Sequence, residues 1–109
     1  MRTVTIDIPA LRDPFLVSEV LSGATPRIDA IETLWLAWRV IRPIRGGART
    51  VTVSATDDSL RALASACRAE AEALAAARER IKSGGPGEGE LVLLTIALGC
   101  EAAALGKVA

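Results

Sequence analysis

The stretch Thr25–Arg45, TPRIDAIETLWLAWRVIRPIR, decides how this chain folds. From Pro26 to about Arg42 it reads as one amphipathic helix. Thr25 is placed to cap it, and Pro26 stands at the first helical position, where no backbone donor is needed. Asp29 and Glu32 fall in the early turns, where the helix dipole favours acidic groups. Ile28, Ile31, Leu34, Trp35, Trp38 and Ile41 recur at steps of three and four and predict one inward stripe. Leu36 and Val40 fall on the face that Asp29, Glu32 and Arg39 would otherwise keep polar. A helix apolar on both sides is expected to be buried on both sides, with Trp35 and Trp38 in the core.

Working outward, the N-terminal Arg2–Ile8 alternates, with Val4, Ile6 and Ile8 on one face and Thr3, Thr5 and Asp7 on the other. That is the pattern of a half-buried strand. Asp13 and Pro14 then predict a helix start, and Phe15 or Leu16, Val17, Val20 and Leu21 supply its inward face as far as Leu21. Beyond the central helix, Gly46–Gly47 marks a turn. Arg49–Ala55 is a second alternating strand, with Val51, Val53 and Ala55 opposite Thr50, Thr52 and Ser54. Its RTVTV matches the RTVTI of Arg2–Ile6, and each strand precedes helical sequence, which suggests a β-α-α unit used twice. Leu16/Leu63 and Ser18/Ser65 are among the few later matches.

Thr56–Asp57–Asp58 caps a long helix reaching about Lys82. Leu60, Cys67, Leu74 and Ile81 are spaced by sevens, with Leu63, Ala64, Ala71 and Ala77 beside them, a narrow seam for close helix approach. Glu70 falls where the repeat of Leu63 belongs, which argues against a long free coiled coil. Ser83–Gly89 reads as a flexible glycine-rich hinge. Glu90 opens a last helix, Leu91–Leu105, apolar nearly all round and so expected to be buried in this chain or in a partner.

At 109 residues the chain is expected to form a single domain, residues 1–109, and half its residues are hydrophobic. So much apolar matter on so small a body points to association. The formal charge is zero, so no global field steers the chain toward nucleic acid or membrane. Met1–Ile8 has no signal-peptide pattern, and Leu91–Cys100 is well short of the roughly 20 residues that span a bilayer. A cytosolic setting is the expectation. Cys67 and Cys100 both fall in helical patterns and are read as buried, reduced thiols.

Chemistry-bearing constellations are sparse. There is no histidine, and two separated cysteines give no zinc spacing. Asp29 with Glu32, and Asp57 with Asp58, are read as complements to helix dipoles. Ser83–Gly89 lacks the lysine and hydroxyl residue of a phosphate loop. No enzyme, cofactor or metal is expected. One charge asymmetry remains: Leu34–Thr56 contains Arg39, Arg42, Arg45 and Arg49 and no acidic residue. These four are the candidate anion-binding residues, set against their ordinary reading as cations finishing a helix.

A strand with alternating polar residues, followed by two helices around a glycine turn, is similar to the layout of ribbon-helix-helix DNA-binding proteins. Arg2–Ile41 carries the resemblance, with Thr3, Thr5 and Asp7 where that family's strand reads the major groove. The resemblance implies a DNA-binding regulator that uses the Thr-rich strand faces and the arginines. The primary expectation is different: an α+β domain of two short strands with about four helices layered on the Val/Ile face. It acts as a non-catalytic interaction or assembly module and a homo-oligomer, since two strands leave open edges that a second subunit can complete. Its protein partner is not named by the sequence, nucleic acid is the less favoured partner, and no membrane is expected.

Overall fold

The computed structural model describes residues 1–80 and 87–106. Among them the order is β1 (Arg2–Asp7), α1 (Pro14–Ser22), a 3-10 turn (Thr25–Arg27), α2 (Ile31–Arg45), β2 (Thr50–Ala55), α3 (Asp57–Arg80) and α4 (Glu88–Ala104). This is the expected α+β class, and β-α-α does occur twice. Residues 81–86, most of the expected hinge, and Ile81 of the heptad row lie outside the described residues. Helix α4 begins at Glu88, two residues before the expected Glu90.

The two strands pair antiparallel, Val4 opposite Val53, Thr5 opposite Thr52 and Ile6 opposite Val51. Matched positions of the two RTVT segments therefore exchange across the ladder, and Thr5 faces its own counterpart, Thr52. A local two-fold axis passes between those two threonines. Packing follows the same symmetry: α4 lies on β1 while α2 lies on β2, and α1 packs on α4 while α3 packs on α2. Each unit's second helix thus covers the other unit's strand. Val4, Ile6, Ile8, Val51, Val53 and Ala55 are buried beneath these helices, as their alternation requires.

The helices repeat more deeply than identity shows. Leu36, Ala37, Val40 and Ile44 of α2 are buried, and so are Ile96, Ala97, Cys100 and Ala104 at the same spacing in α4. The matches Leu16/Leu63 and Ser18/Ser65 do not belong to this repeat. Leu16 and Ser65 are exposed, whereas Leu63 and Ser18 are buried. A longer loop between β1 and α1 than between β2 and α3 puts the helices out of the strands' spacing.

Asp13 caps α1 as expected, its Oδ1 accepting from the Leu16 amide at 3.1 Å. Val17 and Leu21 point inward, but Phe15 and Leu16 are exposed, and Ser18 takes the inward place between them. Its hydroxyl donates to the Phe15 carbonyl at 2.7 Å and accepts from Arg45 Nε at 2.9 Å, which satisfies the buried oxygen.

The central helix differs from its sequence reading at both ends. Thr25 does not cap it: its Oγ1 donates to the Ser22 carbonyl at 2.7 Å. Pro26 opens only the 3-10 turn, after which Ile28 and Ala30 are extended and α2 starts at Ile31. Residues 27–30 share a hollow with the small side chains Ala62, Ser65, Ala66 and Ala69 of α3, an approach that a continuous helix from Pro26 would forgo. At the other end α2 runs through Pro43 to Arg45. Ile44 is completely buried there, and anchoring it offsets the bond that Pro43 removes so near the helix end. Gly47, at φ +88, then turns the chain into β2 in a conformation that side chains disfavour.

In α3, Leu60, Leu63, Ala64, Cys67 and Ala71 are buried and Leu74 is partly so, as the seam predicted, although Ala77 is exposed. Glu70 is half-buried, and Arg27 donates to it from Nε at 3.3 Å and Nη2 at 3.2 Å. Helices α3 and α4 form a hairpin closed by Arg78, whose Nη1 lies 2.7 and 2.6 Å from the two oxygens of the largely buried Glu90. Both cysteines are free and buried in this hairpin. Burial pushes their thiols up to about 12, helped at Cys67 by the nearby Cys100 and at Cys100 by Glu101.

Candidate functional site

Helix α2 carries two apolar faces, of which one is buried in the core and the other is largely open. Thr33, Leu36, Ala37, Val40, Ile41 and Ile44 are buried. Both sides were expected to be buried, and the structure corrects this for most of the stripe that holds the tryptophans: its Ile41 is buried and Trp38 packs partly on the core, but the rest opens to the surface. Ile31 is 64% exposed and Trp35 is 66% exposed, while Leu34 and Trp38 are only partly covered. The row Leu36–Val40–Ile44, at steps of four, is buried where α2 packs on β2, and a domain this small has no second layer for the tryptophans. The expected burial of Leu36 and Val40 is thus met, while that of Trp35 is not.

Leu34, Trp35, Trp38, Arg39 and Arg42 line a hollow of about 490 Å³ on this outer face. All five belong to one helix, so the hollow has a floor and no opposite wall. Two of the four candidate anion-binding arginines, Arg39 and Arg42, are therefore brought together beside indoles. Arg39 reaches only the Ser54 carbonyl, at 3.5 Å. Arg42 is exposed, with no ion pair among the described residues. Arg45 is committed elsewhere: its Nη2 meets Glu19 at 2.8 Å, and its guanidinium lies 5.3 Å from the Phe15 ring centre and 5.9 Å from that of Trp38. Arg49 lines a separate small hollow with Pro14 and Ala48. The structure thus gathers Arg39 and Arg42 in one hollow and places Arg45 and Arg49 apart from it.

The Ser54 carbonyl belongs to the open edge of β2. Ile8 donates to the Arg49 carbonyl at 2.8 Å, and alternation from that bond leaves Thr50, Thr52 and Ser54 with backbone groups directed away from β1. On the ribbon's outer face the hydroxyls pair across the strands, Thr3 with Ser54 at 2.8 Å and Thr5 with Thr52 at 3.1 Å. Asp7 stands at the end of this otherwise uncharged ladder.

The carboxylates are not gathered for chemistry. Asp57 pairs with Arg2 at 2.9 Å and Asp58 with Arg61 at 3.7 Å. Asp29 and Glu32 are both exposed, and Glu32 does not line the hollow that Asp29 helps to form. Among the described residues, no group of three or more His, Cys, Asp or Glu could hold a metal ion. No helix among the described residues is long and apolar enough to cross a membrane. Compared with protein families, curated proteins and solved structures, the chain matches none.

Proposed function

We propose that the protein is a non-catalytic interaction module that works by self-association. The observation that carries this reading is the outer face of α2, where Ile31 and Trp35 are almost two-thirds exposed and continuous with Leu34 and Trp38. Large aromatics are uncommon on surfaces that face only water and common at the centres of interfaces. Leu91 and Leu98 of α4, with Leu105 just past its end, add a second exposed apolar row. Light scattering at micromolar concentration tests the reading. A dimer or higher oligomer is expected, and a monomeric mass would refute it.

A second reading, duplex DNA binding, is favoured by the ribbon itself. Two strands related by a local two-fold, backed by helices and presenting hydroxyls outward, share the layout of the ribbon-helix-helix proteins. The zero net charge and Asp7 on the ribbon weigh against it. Titration with duplex DNA at rising salt decides, since phosphate contacts make log affinity fall by roughly 0.9 per contact with log salt. No salt-sensitive binding is expected, and steep dependence would put this reading first.

A further inference from the structure

We propose that the occupant of the α2 outer face is the same face of a second copy, with the two helices antiparallel. This rests on the self-association reading and gives it a surface and a geometry. Ile31, Trp35, Trp38 and Arg42 recur at steps of four, three and four, the narrow seam along which two helices pack. On one flank of that seam, the acidic Glu32 lies toward the helix start and the basic Arg39 toward its end, and Arg42 closes the seam itself. None of Glu32, Arg39 and Arg42 has an ion-pair partner among the described residues, although Arg45 on the same helix does. A surface that meets its own copy across a two-fold must be self-complementary. Parallel helices would set Arg42 against Arg42 in the seam and carry the Glu32 and Arg39 flanks of the two subunits to opposite sides. Antiparallel helices set Trp35 against Trp38 of the partner subunit and Glu32 beside Arg39 of the partner subunit, with the helix dipoles opposed. The second copy also supplies the wall that the hollow over Trp35 and Trp38 lacks. The α4 row of Leu91, Leu98 and Leu105 has no such pattern, since Glu88 and Glu90 begin that helix and no basic residue stands in its last turn.

Charge exchange tests the geometry. Glu32 and Arg39 are exposed, so their substitution leaves the core intact, which circular dichroism checks. Glu32→Arg alone and Arg39→Glu alone should each weaken the dimer about tenfold or more, because each sets like charges together twice across the two-fold. The double variant should recover the wild-type mass, and an equimolar mixture of the two single variants should form a heterodimer. Recovery in both experiments supports the antiparallel α2 interface. A wild-type chain that associates, with single variants that associate equally well, would overturn this geometry alone and place the contact elsewhere. Single variants that fail with no recovery in the double variant or the mixture would overturn the Glu32–Arg39 pairing. A monomeric wild type would overturn the self-association reading as well.

Discussion

Trp35 and Leu36 are adjacent in the chain and opposite in environment, and the difference fixes what each is worth. Leu36 is wholly buried, so Leu36→Ala removes core contacts and leaves a cavity, at a cost of about 2–5 kcal/mol. Trp35→Ala, measured by denaturation at dilutions where the chain is monomeric, should change stability by about 0.5 kcal/mol or less. At the same dilutions iodide should quench the exposed Trp35 readily, and the partly covered Trp38 that remains in the Trp35→Ala protein less efficiently. The cysteines make a complementary case. With their thiols raised to about 12 by burial, Cys67 and Cys100 present almost no thiolate at pH 8. Alkylation followed by mass spectrometry should therefore be slow in the folded protein and fast in denaturant. Fast labelling of the native state would contradict the burial.

Helices α3 and α4 are held together by a seam of small residues and by ion pairs at their edges. One of these is Arg68 with Glu101, where Arg68 Nη2 donates to Glu101 Oε2 at 2.9 Å and its Nε to Oε1. The hydrogen bond from Arg68, opposed by partial desolvation and aided by the guanidinium charge, holds the Glu101 carboxyl below its ordinary value. A carboxylate depressed in the folded state contributes stability above its unfolded value, near 4.5, and loses it as pH falls through the folded value. Glu101→Gln should thus leave a melting temperature that declines less steeply on acidification below about pH 4.5, with a correspondingly lower melting temperature at pH 7. Thermal melts across the acid range check both ends. Much of this level of structure was legible in advance. Alternation placed β1 and β2, Asp13–Pro14 placed the start of α1, and the seven-residue spacing of Leu60, Cys67 and Leu74 placed the buried side of α3. What periodicity could not decide was that α2 would bury only one of its two apolar stripes fully, because both obey the helical step and both were expected inside. That outcome depends on β2, a partner distant in sequence, on which α2 packs with Leu36 and Val40 buried while Trp35 stays exposed. The candidate arginines were separated by similar tertiary facts, Arg45 being claimed by Glu19 and Ser18 on α1.

For the whole molecule, the two-fold between Thr5 and Thr52 has a consequence for chain order. Arg2 and Gly106 are neighbours: a methyl group placed on Gly106 would lie 3.5 Å from the Arg2 guanidinium. The exposed Gly46–Gly47 turn, meanwhile, divides the two β-α-α units. A circular permutant that opens between Gly46 and Gly47 and joins the old ends through a short glycine linker would keep every crossed contact, α4 on β1 and α2 on β2. It should melt within a few degrees of the native chain and give the same circular dichroism spectrum. The halves embrace each other symmetrically, so neither is a platform on which the other is laid down. Either should be able to leave the ribosome first and wait for its counterpart, and a permutant that folds as readily as the native order would make the sequence of synthesis irrelevant to the architecture.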